Sequence, residues 1–249
     1  MGDVPWRRIA GMRVVMSWPD RGYISAPQPP PGRFRARLAG IVGTLLLVGG
    51  AITVAIAALS QEHAPRPGTG AAGVIGPSVR GAKGPSLRRS VPLSVDIPAI
   101  GVHSGLLRLG VNADGSIQVP SLTTAADEAA WYKYSATPGQ IGASVIEGHL
   151  DSYQGPAVFF RLGALRPGDV IDVTLADGLT AIFRVTGVRD YAKTNFPARI
   201  IYGPTDYAAL RLITCGGSFD PGTGHYLSST VVFASLSSYR RPGHQGTAI

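Results

Sequence analysis

Leu210-Arg211-Leu212-Ile213-Thr214-Cys215-Gly216-Gly217 joins an apolar run to the chain's one cysteine and then to two glycines. Leucine, isoleucine and threonine at this density favour an extended strand. One cysteine cannot close an internal disulfide, so three readings stay open for Cys215: a small buried hydrophobe, an intermolecular bridge, or a nucleophile. Paired glycines let the backbone turn and let another backbone approach, which fits an exposed nucleophile at a strand end.

The same β character extends outward over residues 91–240. Leu93-Ser94-Val95-Asp96-Ile97 alternates apolar with polar and is closed by Pro98. Val111 to Ile117 reads as a turn through Asp114-Gly115, and the runs 170–175 and 179–188 form a hairpin through Asp177-Gly178. Residues 143–146 and 230–236 supply further strands, and 157–165, after Pro156, reads as a helix. The expectation is a mainly β domain with short helices, a closed barrel or a sandwich, followed by a polar tail at 241–249.

The net charge of +8 would by itself point to nucleic acid or membrane. Its distribution decides. Seven arginines against Asp3 and Asp20 give residues 1–37 a surplus of five, and Arg66, Arg80, Lys83, Arg88 and Arg89 against Glu62 give 61–91 a surplus of four. That leaves 92–249 at −1, which argues against nucleic-acid binding by the globular part.

Residues 38–59, ending IVGTLLLVGGAITVAIAAL, carry no charge. About 22 residues at about 1.5 Å each suffice to cross a hydrocarbon core of about 30 Å, so a transmembrane helix is predicted here. Ala55-Ile56-Ala57 offers a signal-peptidase site, but the apolar run is long and follows 37 residues, which favours an uncleaved anchor. Arg33, Arg35 and Arg37 before the span put the basic, disordered tail 1–37 in the cytoplasm and the bulk of a single-pass protein outside the cell membrane. Residues 60–90, rich in glycine and proline, read as a flexible tether.

A cysteine nucleophile is ordinarily partnered by histidine. His63 and His244 fall in the tether and the tail, and His103 has no distinguishing context. His149 closes Val145-Ile146-Glu147-Gly148-His149-Leu150-Asp151 at a glycine-marked strand end, the same placement read for Cys215, whereas His225 falls in a loop. Asp151 is a supporting carboxylate that could orient the imidazole. Arg211 lies on the face of the strand shared with Ile213 and Cys215 under a period of two, and Arg199 in the loop-like Pro197-Ala198-Arg199. No cofactor is expected, and no ligand cluster has metal-like spacing.

Leu93 to Gly101, Ala130-Trp131-Tyr132 with Pro138-Gly139, Gly148-His149-Leu150-Asp151 and Leu212-Ile213-Thr214-Cys215 occur in the order found in sortases, which the domain resembles. Cys215-Gly216-Gly217-Ser218-Phe219-Asp220 and Thr223-Gly224-His225-Tyr226 further resemble the actinobacterial class F type. The resemblance implies an eight-stranded closed β-barrel and the cysteine transpeptidase chemistry of Gram-positive cell surfaces. Cys215 would attack an LPxTG-like sorting signal, and His149 would protonate the leaving group. An amine from a cell-wall precursor or a pilin lysine would then resolve the thioester. The resemblance also implies a catalytic arginine near the cysteine; where many sortases carry it, this chain has Ser229, so Arg211 is the first candidate for that role and Arg199 the second. A cysteine hydrolase on the same fold and a tethered, non-catalytic β-domain that binds surface ligands stand as alternatives.

Overall fold

The structure, a computed structural model, describes residues 63–75 and 84–242. The basic tail, the apolar run at 38–59 and the end of the C-terminal tail lie outside the described residues, and so does the expected membrane helix. Among the described residues no helix is long and apolar enough to cross a membrane.

Eight strands close into a barrel: β1 (Pro92–Ile97), β2 (Val102–Leu109), β3 (Ala129–Tyr132), β4 (Gly142–Glu147), β7 (Val170–Leu175), β8 (Thr180–Ala192), β9 (Ala208–Asp220) and β10 (His225–Arg240). Their order around the barrel is β1-β2-β3-β4-β9-β10-β8-β7, with β7 returning to β1. The pairs β2–β3 and β4–β9 are parallel and the others antiparallel. A small hairpin of β5 (Asp151–Ser152) and β6 (Gly155–Pro156) stands apart from the barrel sheet. The short helix α1 (Ala198–Tyr202) lies between β8 and β9.

The predicted eight-stranded barrel is therefore present, and its hairpins follow the turn chemistry. Gly178 takes φ +84 between β7 and β8, and its amide bonds the Leu175 carbonyl at 2.9 Å. Val111 and Ile117 form an isolated bridge around Asp114-Gly115.

Two apolar layers explain why β9 reads as a continuous apolar run rather than an alternating one. Leu210 and Leu212 face the barrel interior with Trp131, Ile146, Phe183, Val232 and Ala234. Ile213 faces outward with Val145, Val231 and Phe233, under a cover formed by Ile201 and Tyr202 of α1. Both faces of β9 are thus dry, and the outer one carries Arg211, Ile213 and Cys215.

Three expectations need correction. Residues 157–165 do not form an α-helix: Phe160, Leu162, Ala164 and Leu165 each donate to the carbonyl three residues back, and Leu162–Ala164 is 3-10. The amides of Ala157 and Phe159 are instead taken by the carbonyls of Leu150 and His149, and Pro156 pairs with Asp151 in β6.

Cys215 also does not end a strand, since β9 runs on to Asp220. The glycines mark a bulge, where Gly217 takes φ +76 and the register shifts between Tyr226 and Ser228. A Cβ on Gly216 would stand 2.4 Å from Thr230 Oγ1, so glycine is needed there for the approach of β10.

Finally, 63–75 is no loose tether. Ala71 is fully buried in the interior cluster, its carbonyl accepts from Val188 at 2.7 Å, and Val74 donates to Thr186 at 2.9 Å. This strap covers a part of β8 that β7 does not reach. A Cβ on Gly163 would stand 2.0 Å from the Pro65 carbonyl oxygen, so Gly163 leaves the strap its path. Farther on, the Leu87 amide bonds the Gly139 carbonyl at 2.8 Å.

Candidate active site

The parallel pairing of β4 with β9 fixes the relation of histidine to cysteine. Val145 pairs with Arg211 and Glu147 with Ile213, and the Gly148 amide donates to the Ile213 carbonyl at 3.1 Å, one step beyond the last paired residues. His149 follows two residues after Glu147, as Cys215 follows two after Ile213, so both come just past the last pair of β4 with β9. On its other side Cys215 pairs with Ser229 of β10, which in turn pairs with Tyr191 of β8. Cys215, Ser229 and Tyr191 thus form one row across three neighbouring strands, about 4.8 Å per step.

Both reactive groups are enclosed: Cys215 is 5% exposed and His149 1%. The exposed thiol expected at a strand end is not observed, because β9 continues past it and neighbouring segments cover it. Burial pushes the thiol up to about 11, opposed by the charge and hydrogen bond of Lys193 and aided by Asp151 and Glu147. Lys193 Nζ stands 3.5 Å from Cys215 Sγ.

His149 Nε2 lies 2.6 Å from the Pro120 carbonyl. A carbonyl only accepts, so Nε2 carries the proton, and in the neutral ring Nδ1 is the basic nitrogen. Burial lowers the His149 pKa, while the Pro120 bond and the Asp151 charge raise it. The resting pair is therefore thiol and neutral imidazole, one proton transfer away from thiolate and imidazolium.

Asp151 accepts the Tyr226 hydroxyl at 2.5 Å, which ties the segment after His149 to the start of β10. Its charge favours the protonated imidazole of His149.

Arg211 is not directed at the thiol. It is 1% exposed, donates to the Leu210 carbonyl at 3.1 Å and the Tyr207 hydroxyl at 3.3 Å, and lies 4.7 Å over the Phe233 ring. Four strand residues separate it from Cys215, about 13 Å, and its partners lie on the far side. The role of catalytic cation expected for it is withdrawn: Arg211 fastens the outer apolar layer. Arg199, the second candidate, is exposed in α1.

Sequence reasoning missed Lys193, Pro120 and Glu147. Glu147 is buried beside this row and accepts the Tyr202 hydroxyl at 2.9 Å, and burial raises its carboxyl to about 7 despite that bond. Lys193 follows β8, twenty-two residues before Cys215, and no local pattern links the two.

The chain matches the Sortase domain family over residues 95–237. No curated protein matches it. Among solved structures it is similar to sortase A of Listeria monocytogenes at 18% identity, over 61% of this chain and 89% of that one, with a TM-score of 0.46. Sortase C-1 of Actinomyces oris matches at 19% identity, over 57% of this chain and 71% of that one, with a TM-score of 0.43. The Group B Streptococcus Pilus Island 1 sortase C2 matches at 16% identity, over 76% and 96%, with a TM-score of 0.44. With the family's domain spanning more than half of its length, and a closed barrel that carries the cysteine on β9 and the histidine just after β4, the chain belongs to the sortase family of cysteine transpeptidases.

Proposed function

We propose that the chain is a membrane-anchored, extracytoplasmic transpeptidase of the actinobacterial class F type that cuts an LPxTG-like sorting signal and joins it to an amine. The observation that carries this reading is the parallel pairing of β4 with β9, with His149 and Cys215 each two residues beyond its last pair, Glu147 with Ile213. Arginines 33, 35 and 37 before the apolar run support the orientation.

In the first step Cys215 Sγ attacks the carbonyl carbon of the Thr–Gly bond while its proton passes to His149 Nδ1. The tetrahedral intermediate collapses with C–N cleavage, and the imidazolium returns that proton to the departing glycine amine. In the second step an amine attacks the thioester, His149 takes its proton, and Cys215 leaves as a thiol. A cell-wall precursor or a pilin lysine supplies the amine.

Incubating the fragment 63–242 with sorting peptides, with and without an amine, tests this by mass spectrometry. A thioester on Cys215 and an amide product formed only with the amine are expected. Hydrolysis alone would indicate a hydrolase, and an unmodified peptide would leave a non-catalytic domain.

A further inference from the structure

An oxyanion growing beside Cys215 needs a donor fixed in place before the reaction, in a site poor in water. Arg211 is committed to Tyr207, Leu210 and Phe233. Ser229, directly across from Cys215, is fully buried and has no charge. The thiol would thus lack a cation if β9 and β10 alone supplied the site.

The cation comes from one strand farther away. Ser228 pairs with Ala192 and Ser229 with Tyr191, so Lys193 leaves the end of β8 beside the row that holds Cys215. A short serine side chain at 229 leaves the intervening strand low at this point. Lys193 Nζ lies 3.5 Å from Sγ. Among the described residues no carboxylate lies within ion-pair distance of Lys193, so its charge is not already neutralised. Other charges bearing on the thiol, Asp151 and Glu147, disfavour the thiolate, while Lys193 favours it.

We infer that Lys193 is a catalytic residue of this chain: its ammonium stabilises the Cys215 thiolate and then donates to the oxyanion of the tetrahedral intermediate. The oxyanion part rests on the transpeptidase reading above, whereas the thiolate part does not. The cation's place is thus moved from β10 to the end of β8.

Alkylation by iodoacetamide reads the thiolate without any peptide: the Sγ–C bond forms, the C–I bond breaks, iodide departs and the thiol proton is lost to base. Full-length wild type, Lys193→Met and Lys193→Arg are compared from pH 7 to 9. Methionine keeps an unbranched stem over the thiol, so access changes little while the charge is lost. Expected are alkylation about tenfold slower in Lys193→Met and within about threefold of wild type in Lys193→Arg, since one unit of thiol pKa is tenfold in thiolate. Where peptide is cleaved, kcat should fall about 10² to 10³-fold in Lys193→Met with KM little changed. Lys193→Met alkylating as fast as wild type, or Lys193→Arg as slow as Lys193→Met, overturns the inference. Wild type that cleaves no peptide while the alkylation contrast holds overturns the transpeptidase reading and leaves the thiolate role of Lys193 standing.

Discussion

The Tyr202 hydroxyl of α1 donates to Glu147 at 2.9 Å, in the dry layer between that helix and the outer face of β4 and β9. Burial pushes this carboxyl up to about 7 from an ordinary value of about 4.5. Between those values the folded chain holds a proton that the unfolded chain has released, so stability falls as pH rises through this window. The slope corresponds to about 3 kcal/mol at most. His149 contributes with the opposite sign, because its lowered pKa makes the unfolded chain the better proton binder below about 6.5. Thermal melts of wild type and Glu147→Gln at pH 5 and pH 8 separate the two: the decline should be smaller in the glutamine variant. Equal declines would refute the assignment.

Replacing Cys215 with alanine removes the sole thiol and should leave the barrel folded with no thioester detectable by mass spectrometry. His149→Ala should lower kcat/KM about 10² to 10⁴-fold, the usual worth of a general acid and base. In wild type, activity should rise at a pH below 6.5, as His149 loses its proton, and hold toward the thiol's value of about 11. An acid limb that persists in His149→Ala would count against this proton path.

For Arg211 the expectation concerns stability rather than chemistry. Arg211→Lys loses the fork that bonds Tyr207 and Leu210 together and weakens the stacking on Phe233. A loss of about 1 to 3 kcal/mol is expected, with kcat of the folded protein within about threefold of wild type. A large fall in kcat without a change in melting temperature would restore Arg211 to the chemistry.

The strap predicts where a soluble fragment should begin. A chain starting at residue 91 lacks Ala71 in the interior cluster and the bonds from Val74 and Val188. It should melt at least about 5 °C below the fragment 63–242 by calorimetry. Equal melting temperatures would mean that the strap adds nothing to stability.

Much of the barrel was legible because its hairpins carry local signals. Asp177-Gly178 and Asp114-Gly115 turn where such pairs turn, and β7 alternates Ile171, Val173 and Leu175 inward with Asp172 and Thr174 between them. What was not legible depends on register. Arg211 and Cys215 do share a face of β9, but a shared face says nothing of the direction of a long side chain, and Tyr207 draws Arg211 the other way. Lys193 meets Cys215 only through the pairings of β10 with β8 and β9, which are set by the closure of the whole sheet. The 157–165 segment forms i to i−3 turns rather than an α-helix, while its first amides bond Leu150 and His149, contacts that its own composition does not announce.

The passage of Pro65 over Gly163 also sets a length of leash. If the proposed membrane helix ends at Leu59, about six residues lead to that clasp, and fully extended they span about 20 Å. Were the chain loose as far as Val91, the same leash would reach about 110 Å. Under the proposed anchoring and activity, so short a leash would keep the catalyst near the lipid surface, and sorting signals would have to be delivered there.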